Sequence, residues 1–416
     1  MLKVSTATVS ITPTKEYLPC YVSGNALRTE KTDRIHDELE CSVLVIQTGG
    51  QTMIWGVLDL IFVDLALSSK IRRALSETYH APYENIVLAG IHTHSGPEIS
   101  EVNAFGMEGY VAEPGYRDFL MDKCMEATAR CYDQGFTEAT PYIQTLMIDG
   151  LYGNRNGIDK PSDKSVTILK FRDKEGRIVA GCVNLSCHPT LNDPLSMELS
   201  GDLFGYLSRG IQSRWGVSPL MLQGACGDMG NRQYRQGAGF DEIARVGDGI
   251  LKQIDENASP EEAVALDNAK VVPYHYHDEY DRDMEAIRAE LEADEKRLEA
   301  ETDFDQRKLL ICGLAFMKQK AATPHVVNEF DASIIRLGDL EICQIPAELF
   351  SCLGLQIKNA SRAKHAIIWG YTNDDYGYLV EDAEYDNCYE GRSTSIRRGE
   401  PERLTKELAA LMAGTV

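Results

Sequence analysis

Two histidines stand one residue apart at the end of an apolar segment, in the sequence GIHTHSGPE at residues 90–98. In an extended strand, residues i and i+2 lie on the same face, so His92 and His94 point in the same direction. Imidazole is both a common metal ligand and an acid–base group that titrates near neutral pH. This stretch alone fits a pair of ordinary strand-end histidines as well as a pair that reaches into one site.

Four other apolar segments also end in polar residues. Asp59 is the next-to-last residue of GVLDL, His188 ends NLSCH, Glu348 ends EICQIPAE, and a tyrosine-rich loop at residues 371–378 follows AKHAIIWG. Rigid strands that present polar side chains at one end are a common way to build a site. Histidine and glutamate are ligand types that zinc accepts, and a catalytic zinc keeps one position open for water or substrate. The endings therefore predict a functional cluster.

The motifs of several other hydrolases and binding proteins are missing from the sequence. It contains neither the HExxH of zincin-type proteases nor the CxxC pair of a structural zinc site. The GxSxG nucleophile elbow and the GxxxxGK[ST] phosphate loop are also absent. The glycine-rich segment QGACGDMGN, residues 223–231, lacks the phosphate-binding lysine and predicts a tight turn where backbone segments approach closely.

Composition narrows the class of protein further. A net charge of −22 over 416 residues argues against binding to nucleic acid or to an anionic membrane. No export signal is visible, and no apolar run reaches about 18 residues. The eleven cysteines are an odd number without a CxxC pair, which indicates reduced thiols and a cytoplasmic protein. A soluble small-molecule substrate is the expected partner.

Strands and helices interleave along the chain. Patterns of strand, glycine-containing turn and strand occupy residues 42–60, 165–188 and 332–348. An acidic stretch predicts a helical insertion at about residues 277–322. Apolar residues at three- and four-residue spacing predict further helices over residues 66–80, 116–134, 202–215 and 240–256. The predicted fold is therefore α/β, with a mixed, partly antiparallel β-sheet core and flanking helices.

Taken together, the motifs resemble the catalytic domain of the neutral/alkaline (non-lysosomal) ceramidases, which are zinc-dependent amidases. The similarity follows the order of the chain and rests on ATVSITPT, HTHSGP, YGNRNG, NLSCHPT, SGDLFGY, GACGDMGN, IPAELF, GYTNDDYGYLVEDAEY and YEGRST. The resemblance implies a single ceramidase-like hydrolase domain over residues 1–416, with the helical insertion inside it.

The resemblance also implies a set of site residues. The implied zinc ligands are two imidazoles, a carboxylate and a phenol, at His92, His188, Glu348 and Tyr378, with Tyr376 as the alternative tyrosine. Three further residues match the pocket around the metal: His94 beside the reacting carbonyl, Arg155 in contact with substrate, and Tyr389 facing the tetrahedral intermediate.

One departure from the ceramidases changes the implied mechanism. Their glycine-rich turn reads GDxSPN and carries a catalytic serine, whereas Gly230 occupies that position in the segment GDMGNR. Serine catalysis is therefore impossible here. Water activated by zinc needs no such hydroxyl, because zinc lowers the pKa of bound water from about 15.7 to about 7. The general base is left open, with a carboxylate or Tyr378 as candidates.

The chain also differs from the ceramidases in length. They carry an additional C-terminal β-sandwich domain and are exported to meet lipid, whereas we expect neither that domain nor membrane contact here. Two arginines, Arg232 and Arg235 in GNRQYRQG, either hold an anionic group of a polar substrate or balance surface charge. A soluble amide is thus favoured over ceramide.

These observations predict a zinc-dependent hydrolase that cleaves an amide bond of a soluble, polar small molecule. Ester or lactone hydrolysis at the same metal is the alternative among enzymes. A metal- or ligand-binding relative without catalytic activity is the alternative among other classes. The sequence leaves the identity of the substrate and the oligomeric state open.

Overall fold

The computed structural model describes residues 1–103, 107–257 and 259–415. Its strands, in chain order, are β1 Lys3–Ser10, β2 Cys20–Tyr21, β3 Lys31–Thr32, β4 Glu40–Thr48, β5 Gln51–Leu58, β6 Ile86–Gly90, β7 Thr137–Glu138, β8 Thr140–Met147, β9 Gly153–Asn154, β10 Ser165–Arg172, β11 Ile178–Leu185, β12 Leu220–Gln223, β13 Met229–Gly230, β14 Glu262–Ala263, β15 Lys270–Asp281, β16 His325–Leu337, β17 Leu340–Ile345, β18 Glu348–Leu349, β19 His365–Gly370 and β20 Tyr378–Leu379. Its helices are α1 Leu65–Tyr79, α2 Tyr116–Asp133, α3 Asp202–Trp215, α4 Phe240–Glu256, α5 Met284–Ala300, α6 Phe304–Ala322, α7 Ser351–Ala360, α8 Tyr389–Ser393 and α9 Glu400–Met412.

Three mixed sheets form the core of the described part of the chain. Their strand orders are β6-β5-β4-β1-β7, β12-β11-β10-β8-β14 and β15-β16-β17-β19. Each contains an antiparallel hairpin whose second strand also pairs in parallel with a later strand: β5 with β6, β11 with β12, and β17 with β19. The predicted α/β class with a partly antiparallel sheet is confirmed.

Along the chain, a helix connects the two strands of each parallel pair. Helices α1, α3 and α7 fill this position, as parallel pairing requires because the chain must return to the starting edge. The carboxyl ends of each parallel pair therefore lie at one edge of the sheet. The polar endings singled out in the sequence begin within three residues of the ends of these strands, so the fold repeats one way of placing candidate site residues three times.

Local sequence signals explain where the helices begin and end. Helix α1 starts after Asp64, whose carboxylate accepts a hydrogen bond from the Leu67 amide at 2.9 Å. Helix α3 buries Leu203, Leu207 and Ile211, which share one face at four-residue spacing. It ends at Gly216, which has φ +77°.

The central strands β4 and β5 are mostly apolar because they are covered on both faces. Residues 41–46 of β4 are all buried, and residues 43–46 are a continuous apolar run. Trp55 of β5 and Trp369 of β19 meet edge to face, with ring centroids 5.6 Å apart, inside a cluster that includes residues of all three sheets. The sheets therefore share one core.

The predicted hairpins are confirmed as β4–β5, β10–β11 and β16–β17. Helices α1 to α4 lie within one residue of their predicted bounds at each end. The helical insertion is shorter than the predicted range of about 277–322, because residues 277–281 continue strand β15 before α5 begins at Met284. The alternating burial of β15 shows that its exposed histidines and acids occupy one face of a strand.

Candidate active site

Three imidazoles meet where the carboxyl ends of β6 and β11 approach each other. The Nε2 atoms of His92 and His188 are 3.0 Å apart, and Nε2 of His94 lies 3.2 Å from Nε2 of His92. His92 and His188 are buried, and His94 is half-buried. His92 and His94 reach the same place, but from the loop after β6 and not from one face of a strand as predicted, because β6 ends at Gly90 and His92 has φ +68°. His188 joins them from the segment after β11.

Backbone carbonyls fix the protonation of these rings. Nδ1 of His92, His94 and His188 lies 2.9 to 3.0 Å from the carbonyl oxygens of residues 61, 24 and 226. A carbonyl oxygen only accepts hydrogen bonds, so each Nδ1 carries the proton and each neutral ring presents a bare Nε2. Burial lowers the pKa of all three, that of His92 to about 3, which keeps them neutral. The unprotonated Nε2 atoms of His92, His94 and His188 therefore lie together, each with a lone pair available to a metal ion.

A carboxylate completes the cluster from β18, which follows β17 in the chain and pairs with β20. Oε2 of Glu348 lies 3.4 Å from Nε2 of both His92 and His188 and has no hydrogen-bond partner. Burial raises the pKa of Glu348 to about 8, although Arg155 and the hydroxyl of Tyr378 oppose the shift. An unpartnered carboxylate oxygen among bare imidazole nitrogens is costly unless a cation lies between them. The residues present thus fit a metal ion such as zinc, which takes nitrogen and oxygen ligands.

Tyr378 is brought to the cluster by strand pairing. Strands β18 and β20 are parallel, and Glu348 is the register partner of Tyr378. The alternative tyrosine lies elsewhere, because the Tyr376 hydroxyl donates to the carbonyl of Glu329 and its ring packs against Phe330. Of the two tyrosines, Tyr378 is the one in the pocket.

Backbone strain is concentrated at this site. His92 has φ +68° and Tyr371 has φ +56°, a region that costs residues other than glycine about 1 kcal/mol or more. Their rings stack with centroids 4.0 Å apart, and the Tyr371 hydroxyl lies 3.0 Å from Sγ of Cys226. Tyr371 follows β19 directly but was not singled out from the sequence, because nothing in its local pattern distinguishes it from the other tyrosines of the loop.

Arg155 is a buried cation beside the phenol. Its Nε atom donates to Glu390 at 2.7 Å, and its Nη2 donates to the Tyr378 hydroxyl at 3.1 Å. Burial disfavours the guanidinium charge, but Glu390 and Tyr378 outweigh it and raise the pKa of Arg155. Glu390, adjacent to the predicted Tyr389, was also missed in the sequence, where an acid at the start of a short helix reads as an ordinary helix-end residue.

The glycine-rich turn connects the segments that carry these residues. The amides of His188 and Arg155 donate to the carbonyls of Met229 and Asp228, at 3.1 and 2.7 Å. The Asp228 carboxylate accepts from the Ser351 amide at 2.7 Å and from Nδ2 of Asn154 at 2.6 Å. Burial raises the pKa of Asp228 to about 7, and the Ser351 donors oppose the shift. The expected close approach of backbone at this turn is confirmed.

Two glycines of this turn differ in how much room they have. A Cβ on Gly227 would lie 2.4 Å from the carbonyl oxygen of Glu348, so only glycine fits there. A Cβ on Gly230 would meet nothing closer than 3.8 Å, from Arg155 and His188. A Cβ would therefore fit at residue 230, the position that the sequence resemblance matches to the ceramidase serine.

A cavity of about 460 Å³ opens onto the imidazoles. His94, Arg155, Tyr378 and Tyr389 all line it, and so does helix α6 through residues 306–312. The helical insertion therefore forms one wall of the pocket. Tyr389 is half-buried, with its ring centroid 6.3 Å from that of Tyr378.

Within the described residues, every helix is too short or too polar to cross a bilayer.

Two solved structures are similar to the whole of this chain. A crystal structure of neutral ceramidase from Pseudomonas aeruginosa superimposes with a TM-score of 0.77 at 19% identity, covering 100% of this chain and 74% of the other. A structure described as ceramidase complexed with C2 gives 0.75 at 17% identity, covering 100% and 75%. No protein-family model matches the chain. The chain thus has the ceramidase fold that its motifs predicted.

Proposed function

We propose that this chain, which has the fold of neutral ceramidase, is a zinc-dependent hydrolase that cleaves an amide bond of a soluble, polar small molecule. The convergence of bare imidazole nitrogens on the unpartnered oxygen of Glu348 carries this proposal. The ligands of the zinc ion would be His92, His188, Glu348 and Tyr378. When bound, zinc supplies Lewis acidity and makes water a usable nucleophile near neutral pH.

The residues around the ligands divide the remaining work. Nε2 of His94 is an acceptor, because its Nδ1 proton is donated to Gly24, so His94 would orient a water molecule or take up its proton. Arg155 and Tyr389 are donors on the pocket wall and would stabilise negative charge that develops on the carbonyl oxygen. The Glu390 partner keeps Arg155 charged and in place.

A small, polar substrate is supported by the pocket. Its volume of about 460 Å³ lies in the range typical of small-molecule sites. Charged and amide side chains from several segments line it, including Arg155, Asn192, Asn231 and Gln306. Such a lining suits a ligand with several hydrogen-bonding groups. The proposal includes a reducing compartment such as the cytoplasm, supported by eleven cysteines without a CxxC pair.

Metal content and turnover test the proposal together. We expect the purified protein to carry about one zinc per chain and to lose both metal and activity in His92→Ala and Glu348→Gln. His277→Ala is the matched control, because His277 is exposed on β15. A panel of short N-acyl amides and the corresponding esters, with chelator and after zinc is restored, would identify the bond.

Two results would refute the hydrolase. One is a folded protein that binds no divalent metal, and the other is turnover that persists in His92→Ala. A protein that holds zinc but cleaves neither amides nor esters would instead be a binding protein.

A further inference from the structure

The pocket is basic although the protein is strongly acidic. Among the side chains that the structure describes, those lining it include five cations (Arg28, Arg155, Arg232, Arg235 and Lys308) and one carboxylate, Asp202. The whole chain has 64 acidic and 42 basic residues, so an even distribution would favour acids at any given place. A basic lining in such a chain indicates a local requirement for positive charge.

Three of these arginines lack an acidic partner. Among the side chains that the structure describes, no carboxylate oxygen lies within 4.0 Å of the guanidinium nitrogens of Arg28, Arg232 or Arg235. Elsewhere in the protein arginines are commonly paired with acids, as Arg214 is with Asp255 at 2.7 Å. None of these three arginines therefore forms a direct ion pair with a carboxylate of the described residues, which favours anion binding over charge balance for Arg232 and Arg235.

Each of the three is attached to a segment that carries a site residue. Arg28 is buried and donates to the carbonyl of His94. Arg235 donates to the carbonyl of Thr190, two residues after His188, at 2.8 Å. Arg232 follows Gly230 by two residues, and the charge of Arg155 is close enough to repel it. All three arginines line the cavity that opens onto His94 and His188.

We propose that the substrate carries an oxyanion, a carboxylate or a phosphate, which Arg232 and Arg235 bind at the mouth of the pocket. This inference rests on the proposed function for the statement that the ligand is a substrate. Guanidinium groups suit such an anion because their planar N–H donors match two oxygens at once. Arg28 adds positive potential from the buried side, where screening by solvent is weak.

Binding to the metal-free protein tests the inference without requiring turnover. The probes are N-butanoyl-β-alanine and its neutral amide, together with N-butanoyl-ethanolamine phosphate and N-butanoyl-ethanolamine. Removing the metal with chelator ensures that an anion preference cannot come from coordination. Isothermal titration at low salt should give dissociation constants about 10- to 100-fold lower for one or both anionic probes than for their neutral partners. The arm with the larger ratio identifies carboxylate or phosphate.

Variants assign the preference to the two arginines. Arg232→Gln and Arg235→Gln should each reduce it, and the double variant should abolish it. Arg362→Gln is the control, since Arg362 is an exposed arginine outside the pocket. Melting temperatures check that the variants fold. Equal binding of charged and neutral probes, or a preference that survives the double variant, overturns the inference. An intact preference, in a protein that holds no divalent metal as purified and shows no turnover, refutes the hydrolase alone.

Discussion

Replacing Gly227 with alanine should distort the candidate metal site, because the new side chain displaces the backbone of Glu348. A Cβ at this position would lie 2.4 Å from the carbonyl oxygen of Glu348 and 3.0 Å from Cδ1 of Phe350. Contacts of a Cβ atom below 3.0 Å essentially do not occur. The Glu348 segment must therefore move by roughly 0.6 Å or more, and the atom in the way is backbone, which cannot rotate aside.

The size of the expected loss of stability follows from the cost of overpacking and from the length of the chain. Overpacking of this kind costs about 1–3 kcal/mol. An unfolding entropy of about 2.1 cal/mol/K per residue over this chain length gives about 0.9 kcal/mol/K, so the melting temperature should fall by about 1–3 °C. Metal affinity should fall more clearly, by about 10- to 100-fold, because Glu348 moves relative to His92 and His188.

Gly230→Ala is the matched control for this prediction. It lies in the same turn, and its Cβ would have no neighbour closer than 3.8 Å. Differential scanning fluorimetry and competition for zinc with a chromogenic chelator would compare both variants with the wild type. If Gly227→Ala melts and binds zinc like Gly230→Ala, the backbone of Glu348 is not packed against this turn, and the argument for a supporting role is wrong.

Two further predictions concern buried charges. Arg155→Met should cost about 3–5 kcal/mol in the free energy of unfolding, because it leaves Glu390 buried without its partner. Denaturant titration should show part of this loss recovered in Arg155→Met/Glu390→Gln, and no recovery would contradict the pairing. Burial, followed by repulsion from Glu40, raises the pKa of Asp59 from 3.8 to about 8. At pH values between 3.8 and about 8, Asp59 is ionised in the unfolded chain but still protonated in the folded protein. Asp59 therefore destabilises the fold increasingly as pH rises through this range. Asp59→Asn should therefore gain stability relative to the wild type from pH 5 to pH 8, by at most about 1.4 kcal/mol per pH unit, and a constant difference would refute the raised pKa.

The elements were predictable because their signals are local. Helices α1 to α4 follow from apolar spacing over fewer than twenty residues each, and the three hairpins follow from apolar runs around a glycine turn. The acidic pattern predicts helix over residues 277–281, whereas the structure has strand there. A strand with one solvated face carries charged residues at every second position, and a dense acidic run conceals that alternation.

The sequence by itself determined the types of side chain at the strand ends and the order in which the chain delivers them. It did not determine which of these side chains contact one another. The pairing of Glu348 with Tyr378, the stacking of Tyr371 on His92 and the burial of Glu390 against Arg155 exist only in the tertiary structure. These contacts join residues far apart in the chain, and their energies come from packing three sheets on one core, which local periodicity does not specify. Local periodicity fixes an element, whereas the site depends on how the elements are placed.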